Sequence, residues 1–267
     1  MLRAMDSAVA GLRAHQNKLD VIGHNIANVN TFGFKSQIYS FQEAMYQTTS
    51  ASTGGKGTAG GVNAAQFGYG ALMGSIAVDM TASTPTYMGG GLNASINGDG
   101  FFITHAQNKS IANTEAAIKT SEFDFTRVGQ FKLDADGYLV DGNGRFVYGF
   151  RPNTALNPAD ADFDLNNLVP IRACADDWGF TSDAMEMVNV QVNKYGVITA
   201  VTKSDTQAKD NQNVTLGKLA IATFQNPEGL TKKGQYYYGT DNNDNTGACS
   251  ATIPGGSTSE LMCGYLE

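Results

Sequence analysis

Leu2, Met5, Val9, Leu12, Leu19, Ile22, Ile26 and Val29 follow one another at steps of three and four, with Gln16 as the polar gap. That spacing lines the side chains along one stripe of a helix, a heptad seam that wants a second helix against it. The pattern predicts a helix over residues 1 to about 30, closed by Asn28, Asn30 and Gly33, residue types that favour caps and turns. No other stretch of the 267 residues repeats it. The seam's partner is therefore expected from another chain or from a tail beyond these residues.

From about Thr48 to Gly74 the chain turns polar and glycine-rich, with Gly54, Gly55, Gly57, Gly60, Gly61, Gly68 and Gly70. A stretch this long predicts an extended linker over 31–80, or a segment that orders only on assembly. Beyond Thr81 the period becomes two. Leu92, Ala94 and Ile96 alternate before a turn at Asn97 to Gly100, and Phe101 to Ile103 begin the next strand. Phe131 and Leu133, Tyr138 to Val140 and Phe146 to Phe150 are separated by turns at Asp134 to Gly137 and Asp141 to Gly144. Strands resume at Val188 to Val192, Val197 to Val201 and Leu216 to Phe224. Residues 151–183, with Pro152, Pro158, Pro170 and Trp178, read as an irregular insertion. The expected class is mainly β: an N-terminal coiled-coil-type helix (1–30), the linker, and an antiparallel β-rich outer domain (81–253). Residues 254–267 are expected to open a C-terminal segment.

Composition narrows the partners. A formal charge of −7 argues against a phosphate-binding surface, so no nucleic-acid partner is expected. No apolar run approaches the roughly 20 residues that span a bilayer. Arg3, Asp6, Arg13, Lys18 and Asp20 interrupt any signal-like core at the N-terminus, so neither a cleaved signal peptide nor membrane insertion is expected. Cys174, Cys249 and Cys263 are widely spaced and odd in number, unlike a disulfide scaffold, although Cys249 and Cys263 lie close enough in sequence to pair in an oxidising space.

Catalytic chemistry has little to work with. His15 and His24 fall on the predicted helix and His105 stands alone. Asp134, Asp136, Asp141 and Asn143 invite a calcium reading, but Tyr138 and Phe150 break both registers of an EF-hand loop, and Asp-Gly and Asn-Gly are ordinary hairpin turns. Gly54 to Thr58 lacks the spacing and the preceding strand of a phosphate loop. No catalytic residue, cofactor or metal ligand is expected. Asn25 and Asn28 are more informative, because Asn weakens the last turns of a helix unless amide hydrogen bonds or helix termination favour it. Gly33, Phe34 and Lys35 then set a bulky anchor just after a turn.

At these residues the chain resembles a known family. Leu19 to Lys35 (LDVIGHNIANVNTFGFK) is similar to the N-terminal signature of the flagellar rod and hook axial proteins, with Asn25, Ala27, Asn28, Gly33, Phe34 and Lys35 matching the motif. GSI at Gly74, INGDGFF at Ile96, RVGQFKLDADGYLVD at Arg127 and LAIATFQNPEGL at Leu219 follow in family order. The resemblance implies a subunit that polymerises into a helical tube, with terminal helices lining a channel and the β domain outside. It implies self-association, other axial and junction proteins and a hook cap as partners, and a location in the hook or basal body. Export through the flagellar type III apparatus is also implied, with Phe41 and Met45 at the spacing of an export-recognition element. A family member would continue past Leu266 into a C-terminal helix, so a truncation there is expected. Within the family the glycine-rich segment, Gln66 to Gly70 and the enlarged 151–183 region look most like the hook type, with the distal rod type as runner-up. A class-distinct alternative is a secreted β-rich adhesin or binding module with an oligomerisation helix.

Overall fold

The first 27 residues are rich in Ala and Leu and contain no proline, and they form one helix, α1 (Leu2–Ala27). Its end is built by side chains. The Asn28 amide Nδ2 donates to the His24 carbonyl at 2.9 Å, the Thr31 hydroxyl donates to Asn28 Oδ1 at 3.3 Å, and Gly33 turns the chain at φ +69°. The computed structural model describes residues 2–55, 57, 60–152, 163–173, 185–204, 211–241, 243–255 and 259–267. The chain divides into two units, Met1–Met80 and Thr81–Glu267.

In the first unit, the stretch expected as a glycine-rich linker is a paired ribbon. Strands β1 (Gln37–Glu43) and β4 (Ala71–Val78) run antiparallel from Gln37↔Val78 to Glu43↔Ala71, with a bulge between Tyr39 and Phe41. Strands β2 (Tyr46–Ser50) and β3 (Ala65–Gly68) extend the ribbon toward a glycine-rich tip. The Ala44 amide donates to the Gly70 carbonyl and the Tyr69 amide to the Met45 carbonyl, joining the two pairs. The alternation that marks a strand is faint here because most ribbon residues stay exposed, so neither face demands apolar side chains at every second position.

The second unit is an antiparallel sheet assembly. Its elements are β5 (Thr86–Tyr87), β6 (Ala94–Asn97), β7 (Phe101–His105), β8 (Ile111–Ala112), α2 (Glu115–Thr120), β9 (Asp124–Thr126), β10 (Lys132–Leu133), β11 (Leu139–Val140) and β12 (Phe146–Phe150). There follow β13 (Asn167–Pro170), β14 (Met185–Val192), β15 (Val197–Ser204), β16 (Asn213–Leu219), β17 (Ile221–Phe224), β18 (Thr231–Gly234), β19 (Tyr237–Gly239), β20 (Cys249–Thr252), β21 (Glu260–Cys263) and β22 (Tyr265–Leu266). The main sheet runs β14-β15-β16-β12-β7-β9-β19-β18.

Its turns follow from the Asp-Gly and Asn-Gly chemistry. Gly137 and Gly144 donate to the carbonyls of Asp134 and Asp141, each at φ +79°, where a Cβ would be strained. Asp141 Oδ1 accepts the amides of Asn143 and Arg145, so a carboxylate suggestive of a metal holds its own hairpin together. Leu216 to Phe224 is two strands rather than one, split at Ala220. Part of the expected insertion is regular, because β13 pairs with β12 and β8; Pro158, Cys174 and Trp178 lie outside the described residues. Cys249 and Cys263 are both free thiols. Residues 260–266 are strands, β21 against β6 and β22 against β5.

The core gathers Ile96, Phe102, Phe131, Leu139, Val147, Ile198, Leu216, Leu219 and Ile221. A group of rings, Phe101, Phe123, Phe125, Tyr148 and Phe224, packs edge-on or tilted at centroid separations of 4.9 to 6.5 Å. Gly129 lets β6 close over this core: its carbonyl accepts the Ala94 amide at 2.9 Å, and a Cβ there would strike the Ala94 carbonyl and the Phe102 ring. Gly129→Ala is expected to lower the stability of the second unit by about 2–3 kcal/mol. Urea unfolding of the full chain checks this, and an unchanged midpoint would contradict it.

Candidate assembly surface

Helix α1 has two stripes, and the smaller side chains hold it to the ribbon. Ala14 and Val21 are buried, and Ser7, Ala10, Gly11, Lys18, Asn25 and Asn28 are half-buried. These positions keep heptad-like spacing, and small residues let strand and helix backbones approach closely. A Cβ on Gly70 would sit 2.9 Å from the Ser7 carbonyl oxygen. From the ribbon, Tyr39 is buried and Phe41 packs against His15 at 5.0 Å, with the Lys18 ammonium 5.2 Å from the Phe41 ring centre.

The opposite stripe is the apolar seam, and it faces out. Met5 is 64% exposed, Leu12 71%, Leu19 66%, Ile26 68% and Val29 75%, with Val9 and Ile22 also exposed. Leu2 lies at the start of α1, and its side chain is outside the described set. This inverts the usual surface helix, which turns its large apolar side toward its own domain. Transferring such side chains out of water yields about 1.5–3 kcal/mol for each one fully buried. Because they already keep part of their surface covered, the gross gain is on the order of 10 kcal/mol, comparable to the roughly 4–15 kcal/mol that association costs. One neighbour alone is near break-even, so this stripe suits contacts with several neighbours at once.

The motif residues after the seam fix how the chain leaves the helix. Asn25 brackets the first residue of β1: its Oδ1 accepts the Gln37 amide at 3.0 Å and its Nδ2 donates to the Gln37 carbonyl at 2.8 Å. Asn28 caps the helix, and Ala27 is its final residue. Phe34 packs on His24 at 5.4 Å, and Lys35 is buried. Asn25 thus acts across a loop while Asn28 acts locally, two roles that identical residue types do not distinguish in sequence. The stripe Ser7, Ala10, Ala14, Val21 does not stand out in the pattern of large apolar side chains, although its spacing is visible once small residues are counted.

Both residues of the expected export pair are exposed, Phe41 less so than Met45. Phe41 lies in β1 with its ring against α1, whereas Met45 stands 81% exposed between β1 and β2. Beside it, a hydrogen bond to Glu43 raises the Tyr46 hydroxyl above its usual range.

In the second unit several titratable groups are engaged with one another. Asp124 is held by Arg145 and by Lys233 at 3.1 Å, at the edge of a cavity of about 320 Å³ also lined by His105 and Glu122. Burial, then its hydrogen bond to Asp141, pushes the Tyr237 hydroxyl far above its usual range, so it stays a proton donor. His105 is buried and accepts the Gln107 amide at 2.9 Å, a local turn contact. Among the described residues no group of His, Cys, Asp or Glu is arranged to hold a metal ion, and no helix is long and apolar enough to cross a membrane.

Comparison with known proteins gives the chain's family. Residues 5–35 match the family model described as flagella basal body rod protein, and residues 95–200 match that of the flagellar hook protein FlgE/F/G D1 domain. The flagellar basal-body rod protein FlgG of Bacillus subtilis is 32% identical over an alignment of 268 residues, covering all of this chain and 84% of the relative. The chain belongs to the flagellar hook and basal-body rod protein family. The hook protein FlgE of Treponema pallidum is 37% identical over 151 residues, 56% of this chain and 30% of that protein. FlgE of Helicobacter mustelae is 32% identical over 214 residues, covering 80% of this chain and 42% of the hook protein. The exposed seam and the Asn25 to Lys35 corner fall within or beside the rod-family match, and most of the second unit's sheet falls within the D1 match.

Replacing Asn25 with Ala removes both hydrogen bonds to Gln37 and is expected to destabilise the helix–ribbon junction by about 1–2 kcal/mol. Hydrogen exchange read at peptides covering 34–40 should accelerate while peptides in β7 stay unchanged. Equal protection in the variant would contradict the assignment.

Proposed function

We infer that this chain is a structural subunit of the bacterial flagellar hook, polymerising through α1 into a helical tube that transmits torque. The observation that carries the reading is the outward stripe of Met5, Val9, Leu12, Leu19, Ile22, Ile26 and Val29, which the chain's own ribbon leaves uncovered. A helix layer with a continuous apolar seam resists axial slip. Contacts of one copy on the next that do not close into a ring build an open filament. Leu2 extends the same seam by one step. Asn25, Asn28 and the Gly33 to Lys35 corner set the angle at which the chain leaves that layer.

Hook proteins account for the highest identity quoted above, 37% with the Treponema protein. A distal-rod role is the second reading, favoured by the match to the Bacillus rod protein along the whole of this chain. Under either reading the subunit sits in the flagellum and associates with itself, with neighbouring axial and junction proteins and, for the hook, with a cap. Passage through the type III export apparatus without a cleaved signal peptide is part of the same proposal, with Phe41 and Met45 as its recognition element. Membership in this family gives the adhesin reading no support, and the relatives are named as structural parts of the flagellum.

Leu12→Asp and Ile22→Asp test the seam. Both positions are exposed in the single chain, so unfolding free energy is expected to move by no more than about 0.5 kcal/mol. The concentration needed for polymerisation should rise at least about tenfold, since one buried apolar side chain is worth about 1.5–3 kcal/mol. Sedimentation and electron microscopy of the full chain provide the measurement, and tubes from either variant at the parent chain's threshold concentration would overturn the reading. Curved tubes from the parent chain support hook over rod, and straight tubes support the rod.

A further inference from the structure

Within the second unit the chain passes twice through one place. Residues 83–97 run in beside 260–267, with Thr86↔Leu266 and Tyr87↔Tyr265 paired in β5 and β22, and β6 paired with β21 just beyond. The pairing of β5 with β22 is only two residues long, and Tyr87 is exposed on it. So short a ladder holds poorly by itself.

Beneath it lies a buried ion pair. Arg127, directly after β9, and Glu267 each have side chains only 2% exposed, with Arg127 Nη1 3.3 Å from Glu267 Oε2. Glu267 Oε1 accepts the Ser83 backbone amide at 2.9 Å, and Arg127 Nη1 also donates to the Gly98 carbonyl at 2.9 Å. The guanidinium lies 5.4 Å from the centre of the Phe101 ring. Glu267 thereby ties the segment entering at Ser83 to the end of β9 in the main sheet, across sequence separations of 184 and 140 residues.

We propose that Arg127, Glu267 and the Ser83 amide form a clasp that locks both chain passages of the second unit to its sheet, so that pulling on residues 81–86 loads β9 and β7 rather than peeling β5 away.

Three features support it. A buried ion pair adds little net stability compared with an apolar pair of the same shape, and its best-attested use is to select one arrangement. The arrangement is directional, since the two carboxylate oxygens face two different segments. Arg127 Nε is buried without a hydrogen bond, so the guanidinium is positioned for Glu267 and Gly98 rather than for its own full satisfaction. The proposal concerns the second unit alone and does not depend on whether the chain serves in hook or rod.

Hydrogen exchange of the full chain, read by peptide, tests it with Glu267→Gln and Arg127→Met, and with the double variant R127M/E267M, whose apolar pair guards against simple loss of folding. Peptides covering 81–88 and 260–267 are expected to exchange at least tenfold faster in each variant, while those of β7 and β16 keep their parent rates. Uniform acceleration across the unit would show a general stabilising role and overturn the clasp, as would unchanged rates at 81–88.

Discussion

Helix α1 has two stripes and the chain covers one of them. The ribbon takes the side made of Ser7, Ala10, Ala14 and Val21, whose small size allows backbone contact. The large apolar side chains are left facing water. Had the ribbon packed on Leu12 and Leu19 instead, the single chain would be better satisfied and its helix would have no apolar seam to offer a neighbour. The lone subunit therefore keeps in reserve the hydrophobic area that the proposed assembly buries.

The second unit is built differently, with an apolar core crossed by specific buried polar links. Its apolar core follows from strands whose inward residues are Phe, Ile, Leu and Val, closed by a glycine at 129 where no other residue fits. Asp124 is buried against Arg145 and Lys233, and Arg127 against Glu267, while buried Asp141 is held by hydrogen bonds from Tyr237 and from the Asn143 and Arg145 amides. Such pairs fix geometry more than they add stability. The sheet's outer strands bear features that discourage stray pairing, a bulge with Asn189 at φ +53° in β14 and Lys232 and Lys233 in β18.

Much of this architecture was legible in the sequence. The seam residues, the helix end at Asn28 and the hairpins at Asp134–Gly137 and Asp141–Gly144 each have a local cause that one segment contains. The ribbon over 37–78 was not legible, because its strands are solvated on most positions and glycine content alone resembles a linker. The split at Ala220 is a matter of partners, β16 with β12 and β15 and β17 with β7 and β20, which no local pattern records. The same holds for Asn25 against Gln37 and Arg127 against Glu267, contacts set by tertiary approach between residues whose types are unremarkable where they stand.

The most direct test of the central claim is a helical reconstruction by electron cryo-microscopy of tubes grown from the full-length subunit. The account predicts Met5, Leu12, Leu19 and Ile26 buried against helices of several neighbours, with the Ala14 and Val21 stripe still on its own ribbon. Tubes in which the seam faces open solvent, and other surfaces make the contacts, would contradict it.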